Sequence, residues 1–406
     1  MILSHKIALN TNKTQEELLS KAAGCARFTF NWGLARWNEM YKAWKGDNTL
    51  PKPTANIIKK EFNKIKEVEF PWIYESPKDA NQQAFAFLNT AFTRFFNKLG
   101  KYPQFKKKNK SRDSFYMSND KFWIDEYIIK LPVIGEVKLT EKLRFNGKIM
   151  SATVSRHANR WFVSINVDVL DYKKENIFKD GIIGIDLGLT SFATLSDGTK
   201  FQAPKPLKKH SRKMKRLQRQ HSRKQKGSKN KEKSRRRIAR LHKKIHDIRN
   251  DFSHKLSTSI CDETQVIVLE DLKVSNMIKN HKLAKAISDV GWGEFRRQME
   301  YKAPIFGSII ILADTYFASS KTCSSCGCVD QKLDLSDRTY ECKNCGLIID
   351  RDINAAINLH TLGLREIYAC GHMDLCSPLD KREDTSTMVE ARSKEGVSGY
   401  TFTHNL

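Results

Sequence analysis

The first hundred residues pass from a short predicted strand into long stretches of helical periodicity. Residues 2–9 predict the strand. The capping box Thr14-Gln-Glu-Glu17 predicts the start of a long helix, and Ser76-Pro77 predicts the start of another. Both helices carry aromatic-rich stripes, interpreted as core rather than as base-stacking surfaces: Phe30, Leu34, Trp37, Tyr41 and Trp44, then Phe85, Leu88, Phe92, Phe95 and Leu99.

From Ser114 onward the period changes to two. Apolar and polar residues alternate between Trp161 and Val169, and an earlier strand reaches them through a turn at His157-Ala-Asn159. We therefore expect an antiparallel sheet or small barrel, which the N-terminal strand joins. The predicted boundaries are a β domain of residues 1–12 and 113–172 with a helical insertion of residues 13–112.

After Gly181 strands and helices alternate, a pattern typical of an α/β domain. Ile182–Leu189 is predicted as a buried strand that ends in an acid and a glycine turn, and Val266–Glu270 as another with an acid at its carboxyl end. The whole chain is thus predicted to be a multidomain α+β protein. Its α/β domain covers residues 181–364, and residues 365–406 form a polar tail that we expect to be disordered.

The net charge of +27 is concentrated in one segment. Residues 205–249 contain 21 lysines and arginines against two acids, so nucleic acid is the expected partner. An apolar stripe from Ile238 to Leu256, with a turn near Gly227-Ser228, predicts a packed basic helical hairpin over residues 205–256. The sequence leaves open whether RNA or DNA lies against this hairpin. The candidate phosphate contacts are Arg212, Lys213, Arg216, Arg235, Arg236 and Arg240.

Composition also narrows the expected cellular setting. The longest apolar run, Ala303 to Ala313, is too short to cross a bilayer, so we expect no membrane partner. No secretory leader is evident, and several of the nine cysteines fall outside any motif. A reducing cytoplasm is therefore the predicted compartment.

Four cysteines form two Cys-x-x-Cys pairs at the spacing of a zinc ribbon: Cys323, Cys326, Cys342 and Cys345. A single redox pair would not explain the second one, so the spacing predicts structural Zn²⁺ in a ribbon of residues 319–348. Cys370-x-His372-x-x-x-Cys376 also looks like a set of ligands. It lies in the polar tail, and we interpret it as incidental.

Three acids are predicted at the ends of buried strands or the start of a helix: Asp186, Glu270 and Asp352. Such positions meet at the open edge of an α/β sheet, where three carboxylates would repel one another unless a cation held them. Their oxygens suit Mg²⁺ or Mn²⁺, and two such ions about 4 Å apart can hydrolyse a phosphodiester. Each acid alone could instead cap a helix or turn. Asp271 and Asp350 are rival ligands, and spacing does not choose between Asp350 and Asp352.

Several motifs together resemble the TnpB family, the RNA-guided DNA endonucleases of insertion sequences. Those of the second half are Gly184-Ile-Asp186-Leu-Gly188, Val268-Leu-Glu270-Asp-Leu272, the four cysteines, and Asp350-Arg-Asp352-x-Asn354-Ala-Ala. Other similar segments are Gly24-Cys-Ala-Arg27-Phe-x-Phe-Asn31-x-x-Leu34, Tyr102-Pro103-x-Phe105-Lys-Lys and Ser288-Asp289-x-Gly291-Trp292-Gly293-Glu294-Phe295. The resemblance extends over nearly the whole chain except the tail.

The resemblance implies an RNase H-like (RuvC) nuclease with an inserted four-cysteine zinc ribbon. It assigns the Mg²⁺ ligands, which are also the catalytic residues, to Asp186, Glu270 and Asp352, and so prefers the second acid of Asp350-Arg-Asp352. The cysteines correspond to the family's zinc element. One nuclease site is expected to cut both strands of DNA in turn.

The resemblance further implies that the N-terminal half is a wedge-like barrel with a helical insertion. In the family these parts read a short DNA motif beside the target that the guide RNA pairs with. Lys78 and Gln82 fall where such contacts would lie, and Ser118 and Asn119 are further candidates. The expected partners are a guide RNA encoded by the element and target double-stranded DNA, with a monomer as the working hypothesis.

Three alternatives stay open at this stage. A compact CRISPR type V effector would share the chemistry and differ in gene neighbourhood. An RNA-guided repressor that binds DNA without cutting it would lack at least one acid, whereas this chain keeps all three. A DNA transposase would also use acids and Mg²⁺, but the cysteine ribbon and the TnpB-like segments argue against it.

Overall fold

The fold is known from a computed structural model that describes residues 1–108, 110–170, 181–330, 332–333 and 337–369. The chain divides into two compact units. The first unit comprises Met1–Tyr172 and Arg223–Lys243, and the second comprises Lys173–Ser222 and Lys244–Leu406.

The helices of the first unit are α1 (Lys13–Gly46), α2 (Ala55–Glu69) and α3 (Lys78–Phe96), with a short 3₁₀ helix at Pro71–Glu75. Helix α1 begins earlier than its predicted cap at Thr14. The side chain of Asn12 accepts a hydrogen bond from the Gln15 backbone, and the Gln15 side chain accepts one from the Asn12 amide. Asparagine is as good an N-cap as threonine, so the box is displaced by two residues.

The aromatic stripes of α1 and α3 pack against each other, as predicted for a core. The rings of Trp37 and Phe92 stack with centroids 3.9 Å apart, and Leu34 and Leu88 are fully buried beside them. The outer ends of the stripes differ from the prediction. Tyr41 and Leu99 are exposed, because the helical core ends before the stripes do.

The first unit also contains one antiparallel sheet of seven strands in the order β2-β6-β7-β1-β5-β4-β3. The strands are β1 (Ile2–Asn10), β2 (Ser114–Ser118), β3 (Trp123–Asp125), β4 (Ile128–Leu131), β5 (Gly135–Leu139), β6 (Lys148–His157) and β7 (Arg160–Asp168). The N-terminal strand joins the sheet as predicted, with Ile2 opposite Asp168. Alternate residues of β6 and β7, such as Val154, Val163 and Ile165, are fully buried in the sheet's core.

The second unit contains a mixed sheet of five strands in the order β10-β9-β8-β11-β12. These are β8 (Ile182–Asp186), β9 (Ala193–Leu195), β10 (Lys200–Phe201), β11 (Val266–Glu270) and β12 (Ile309–Ala313). Strand β11 lies parallel to both β8 and β12, whereas β9 runs antiparallel to β8. The central strands are Val- and Ile-rich because parallel strands are buried on both faces.

The remaining elements of the second unit are helices and one short hairpin. They are α4 (Pro206–Ser222), most of α5 (Lys229–Glu263), α6 (Val274–Met277), α7 (Ala284–Val290), α8 (Trp292–Phe306), α9 (Arg351–Ala369), and the strands β13 (Thr339–Glu341) and β14 (Ile348–Asp350). Helices α4 and α5 lie in the segment that was predicted to form the basic hairpin. Helix α5 contributes to both units, up to Lys243 in the first and from Lys244 in the second, whereas the predicted boundaries gave the whole hairpin to the α/β domain.

Helix α9 lies directly on the sheet because two glycines leave room for it. A methyl group on Gly184 of β8 would overlap the Ala356 carbonyl oxygen and the His360 amide, and one on Gly363 would overlap the side chains of Val268 and Ile182. Helix α9 also continues past the predicted start of the tail at residue 365, since Ile367 still packs on this sheet. The tail from residue 370 onward lies outside the described residues.

Candidate functional site

The three predicted acids lie at one edge of the second unit's sheet. Asp186 is the last residue of β8 and Glu270 is the last residue of its parallel neighbour β11. Asp352 lies in the first turn of α9, the helix that packs on these strands. All three side chains are half-buried. The topology therefore brings together carboxylates that are far apart in the sequence.

The electrostatics of Asp186 show that the acids interact. Burial raises the pKa of Asp186 well above its ordinary value, and the charges of Glu270 and Asp352 raise it further. Burial also raises the pKa of Glu270. Half-buried carboxylates with raised pKa values favour a bound cation, which would offset their mutual repulsion.

The two rival acids are occupied elsewhere. Asp350 caps α9, accepting hydrogen bonds from the amides of Asp352 and Ile353, and forms a 2.7 Å ion pair with Lys200. Burial opposes ionisation of Asp350, but Lys200 and these amides hold its pKa below the ordinary value. Asp271 pairs with Lys273 and Arg296, which lower its pKa to about 2. Asp350 and Asp271 are therefore already neutralised by protein groups.

The four predicted zinc ligands form a compact cluster. Cys323 Sγ lies 3.6 Å from Cys345 Sγ, and Cys326 Sγ lies 3.5 Å from Cys342 Sγ. Tetrahedral zinc with Zn–S bonds of about 2.3 Å requires sulfurs about 3.8 Å apart, so the thiolates fit this ion. All four sulfurs lie within 4.8 Å of one another, and no second cluster of this kind occurs among the described residues.

The backbone around the two cysteine pairs repeats the same turn. The amide of Gly327 donates to the Cys323 carbonyl, and the amide of Gly346 donates to the Cys342 carbonyl, at 3.0 and 2.9 Å. Both glycines have φ of +74°, a left-handed conformation that other residues rarely adopt. Each glycine directly follows the second cysteine of a pair, a position whose role sequence reasoning missed.

The structure also shows hydrogen bonds that sequence reasoning missed. The hydroxyl of Ser319 donates to Glu270 Oε1 at 2.6 Å. The side-chain amide of Asn358 donates to the carbonyl oxygens of Ser319 and Thr322, at 2.8 and 2.7 Å. Asn354 donates to the same Thr322 carbonyl. Asn354 belongs to the motif after Asp350, but a motif does not say what an amide contacts.

The four candidate contacts in the first unit lie close to one another. The side chain of Asp79, next to Lys78 at the start of α3, accepts hydrogen bonds from the amide and the hydroxyl of Ser118 at the end of β2. Lys78 and Asn119 are exposed, and Gln82 and Ser118 are half-buried. Asp79 therefore joins the two segments that carry these candidates.

The six candidate phosphate contacts of α4 and α5 are all exposed: Arg212, Lys213, Arg216, Arg235, Arg236 and Arg240. Both Arg235 and Arg236 form ion pairs with Glu232, at 2.7 and 3.1 Å. Their positive charge is therefore partly neutralised within α5. Each of the two helices has buried apolar residues, which are Met214 and Leu217 in α4 and Leu241 and Ile245 in α5.

Three family models match the chain. Residues 165–281 match the family described as "Probable transposase", residues 292–359 match "Cas12f1-like, TNB domain", and residues 1–46 match "Helix-turn-helix domain". In this structure the last segment forms strand β1 and the single long helix α1.

Two relatives that match over most of their length decide the family. A protein of Streptomyces pristinaespiralis with the name "Putative RNA-guided DNA endonuclease" is 38% identical, with 87% of each chain covered. The similarly named InsQ of Escherichia coli (strain K12) is 32% identical, with 95% of this chain and 98% of InsQ covered. The chain belongs to the TnpB family. The family resemblance seen in the motifs is thereby confirmed.

A solved structure shares the fold. The chain resembles Cas12f1 in the cryo-EM structure of the Cas12f1-sgRNA-target DNA complex, with a TM-score of 0.55 and 16% identity over 86% of this chain and 83% of the other. This chain and Cas12f1 thus share a fold.

None of the helices in the described part of the chain has the length and hydropathy of a membrane span.

Proposed function

We propose that this protein is an RNA-guided, metal-dependent DNA endonuclease of an insertion sequence. The observation that carries this proposal is the meeting of Asp186, Glu270 and Asp352 at one sheet edge in a member of the TnpB family. The relatives' names supply RNA guidance and DNA as substrate. The three acids support hydrolysis of a phosphodiester, because together they could hold divalent metal ions.

The proposed nuclease domain is RNase H-like (RuvC), covers residues 181–364 and holds its divalent ions on the three carboxylates. Mg²⁺ or Mn²⁺ bound there would activate water and stabilise the oxygen that leaves the phosphodiester. The chain's own contribution is to hold two carboxylates at strand ends and the third in the first turn of α9, and to neutralise rivals such as Asp350. The cysteine ribbon, residues 319–348, would hold Zn²⁺ in a structural role.

The proposed recognition part is a wedge-like β-barrel, residues 1–12 and 113–172, with the helical insertion 13–112. Lys78, Gln82, Ser118 and Asn119 would read the DNA motif next to the target. Their support is the Asp79–Ser118 link, which keeps the start of α3 beside the end of β2. Guide RNA would bind the basic surfaces in a cytoplasmic, monomeric protein.

The proposal is tested by sequencing the RNA that copurifies with the protein from its native host. We expect a discrete species from the 3′ end of the gene, and RNA carrying a new guide should direct cutting of a matching plasmid. RNA from a repeat array would favour a compact CRISPR effector. Binding without cutting would favour the repressor, and random cellular RNA would overturn RNA guidance.

A further inference from the structure

The strongest unassigned feature is the chain of hydrogen bonds from Glu270 to the first zinc-binding turn. Ser319 is buried, with 4% of its surface exposed, and its hydroxyl donates to Glu270 Oε1 at 2.6 Å. It follows Ala313, the last residue of β12, by six positions, and Ala313 lies opposite Glu270 in the parallel pairing. The segment from residue 314 to residue 319 therefore leads from the end of β12 to the Glu270 carboxylate at the end of β11.

Two buried amides of α9 hold this segment in place. Asn354 and Asn358 are four residues apart and so share one face of the helix. Both donate to the Thr322 carbonyl at 2.7 Å, and Asn358 also donates to the Ser319 carbonyl at 2.8 Å. The Asn354 side-chain oxygen accepts a 2.9 Å hydrogen bond from the amide of Ser324.

The helix that supplies these amides also supplies Asp352. The side chains of Asn354 and Asn358 thus form a clamp on this turn. Cys323 lies between Thr322 and Ser324, so the clamp also fixes the first cysteine of the cluster. The backbone turn is further closed by hydrogen bonds from the amide and hydroxyl of Thr322 to the Ala318 carbonyl. Glu270 and the first zinc-binding turn are thus connected by hydrogen bonds to the helix that carries Asp352, and not through the sheet alone.

We propose that Ser319 is a positioning residue for the Glu270 carboxylate, held by Asn354 and Asn358 so that Glu270 is oriented for a divalent metal ion shared with Asp352. The proposal rests on the nuclease function proposed above. The hydroxyl fixes the carboxylate's rotation and leaves its other oxygen, Oε2, for a metal ion. Groups that orient a metal ligand in this way typically change metal affinity by about 10–100-fold when removed.

The test uses the full-length protein with its copurified RNA. In Ser319→Ala we expect the Mg²⁺ concentration for half-maximal cleavage to rise about 10-fold, with recovery of most of the rate at saturating Mg²⁺. Electron paramagnetic resonance measures the Mn²⁺ that stays free in solution, and it should show that Ser319→Ala binds Mn²⁺ more weakly than the wild type does. The Asp186→Asn variant serves as the control for Mn²⁺ ions that bind to the RNA. Zinc content should stay unchanged.

Two further variants make the test specific. Ser319→Thr keeps a hydroxyl and should restore Mn²⁺ affinity to near the wild-type value, which a packing role alone would not predict. Ser320→Ala, the next residue in the same loop, is the matched control and should leave the Mg²⁺ requirement unchanged. Asn358→Ala should weaken Mn²⁺ binding in the same direction as Ser319→Ala.

The outcomes separate the two proposals. The positioning role alone would be overturned if Ser319→Ala kept the wild-type Mn²⁺ affinity and Mg²⁺ requirement while Asp186→Asn was inactive. Full cleavage by Asp186→Asn would instead overturn the nuclease site itself. Loss of zinc from Ser319→Ala, with no rescue by threonine, would mean that Ser319 only supports folding.

Discussion

At the scale of single residues, the decisive property of the site is that three carboxylates of like charge lie close together and are half-buried. Asp186 sits where burial, Glu270 and Asp352 all disfavour its ionised form. A pKa raised in the folded state means that ionising the group reduces stability. The arrangement therefore has a cost in the protein without metal, and function explains why it is kept.

The variant Asp186→Asn tests this directly. It should abolish cleavage while leaving RNA and target binding unchanged, because it removes a ligand oxygen and not a pairing surface. Without divalent metal its melting temperature should equal or exceed that of the wild type, since one repelling charge is gone. Added Mn²⁺ should stabilise the wild type more than the variant in a thermal melt. Normal cutting by the variant would refute the assignment.

A second residue-scale prediction concerns Lys302, a buried lysine of α8. It donates to the His254 carbonyl and to the hydroxyls of Ser257 and Thr258, at 2.7, 2.7 and 2.8 Å. Burial lowers its pKa from 10.5 to about 8. Between these pH values the unfolded chain holds a proton that the folded chain has lost, so the free energy of unfolding rises with pH.

The measurement compares the wild type with Lys302→Met by chemical denaturation. The wild type's free energy of unfolding, relative to the variant's, should increase by up to about 3 kcal/mol from pH 8 to pH 10.5. Lys255→Met, which changes an exposed lysine on α5, should show no such trend. A difference between wild type and Lys302→Met that is flat with pH would contradict the lowered pKa.

At the scale of elements, we expect the β13–β14 hairpin to depend on zinc bound by the four cysteines. Two strands of three residues, β13 and β14, are too short to be stable alone. In Cys342→Ser we expect loss of bound zinc and a melting temperature lower by more than about 5 °C, because structural zinc contributes folding free energy. Cys328→Ser is the control, since this exposed cysteine lies outside the cluster. Unchanged zinc content in Cys342→Ser would remove the zinc assignment.

The close packing of α9 on the sheet leads to a prediction about Gly184. Gly184→Ala would force the Ala356 and His360 backbone away and should destabilise the protein by about 1–3 kcal/mol. It should also reduce cleavage, because α9 carries Asp352. Gly293→Ala meets open space and should be neutral or slightly stabilising. Equal melting temperatures for the two variants would show that α9 tolerates the displacement.

The order of the elements was predictable because strong periodicity and buried apolar runs mark long segments. Their ends were not. Helix α9 runs through Gly363, which ordinarily suggests a stop, because that glycine packs against Val268. The cap of α1 is Asn12 rather than Thr14, since both residues can cap and only the turn's geometry chooses between them.

The site was predictable in part for the same reason. Acids at strand ends and paired cysteines have recognisable spacing, whereas Ser319 and Asn358 act through contacts with residues distant in the chain. Spacing also left Asp350 and Asp352 equivalent. Only the cap and the Lys200 ion pair distinguish Asp350.

At the scale of the whole molecule, the net charge of +27 predicts strongly salt-dependent binding to nucleic acid. Replacing Arg212 and Arg216 together by glutamine should reduce the slope of log affinity for RNA against log salt by about 1 to 2, since each phosphate contact releases about one counterion. Replacing Lys60 and Lys64, which are exposed on α2, is the charge-matched control. Equal slopes for both double variants would mean that α4 contributes only general attraction.

The clamp formed by Asn354 and Asn358 also sets a rule for recombining parts of related proteins. If residues 319–348 alone were exchanged between relatives, the new segment would lack its own Asn354 and Asn358. The hydrogen bonds from these amides to its first turn would then depend on the other parent's helix. A functional chimera should therefore carry the hairpin and the first two turns of α9 from one parent. Seen in this way, the interchangeable module begins at Ser319 and ends after Asn358.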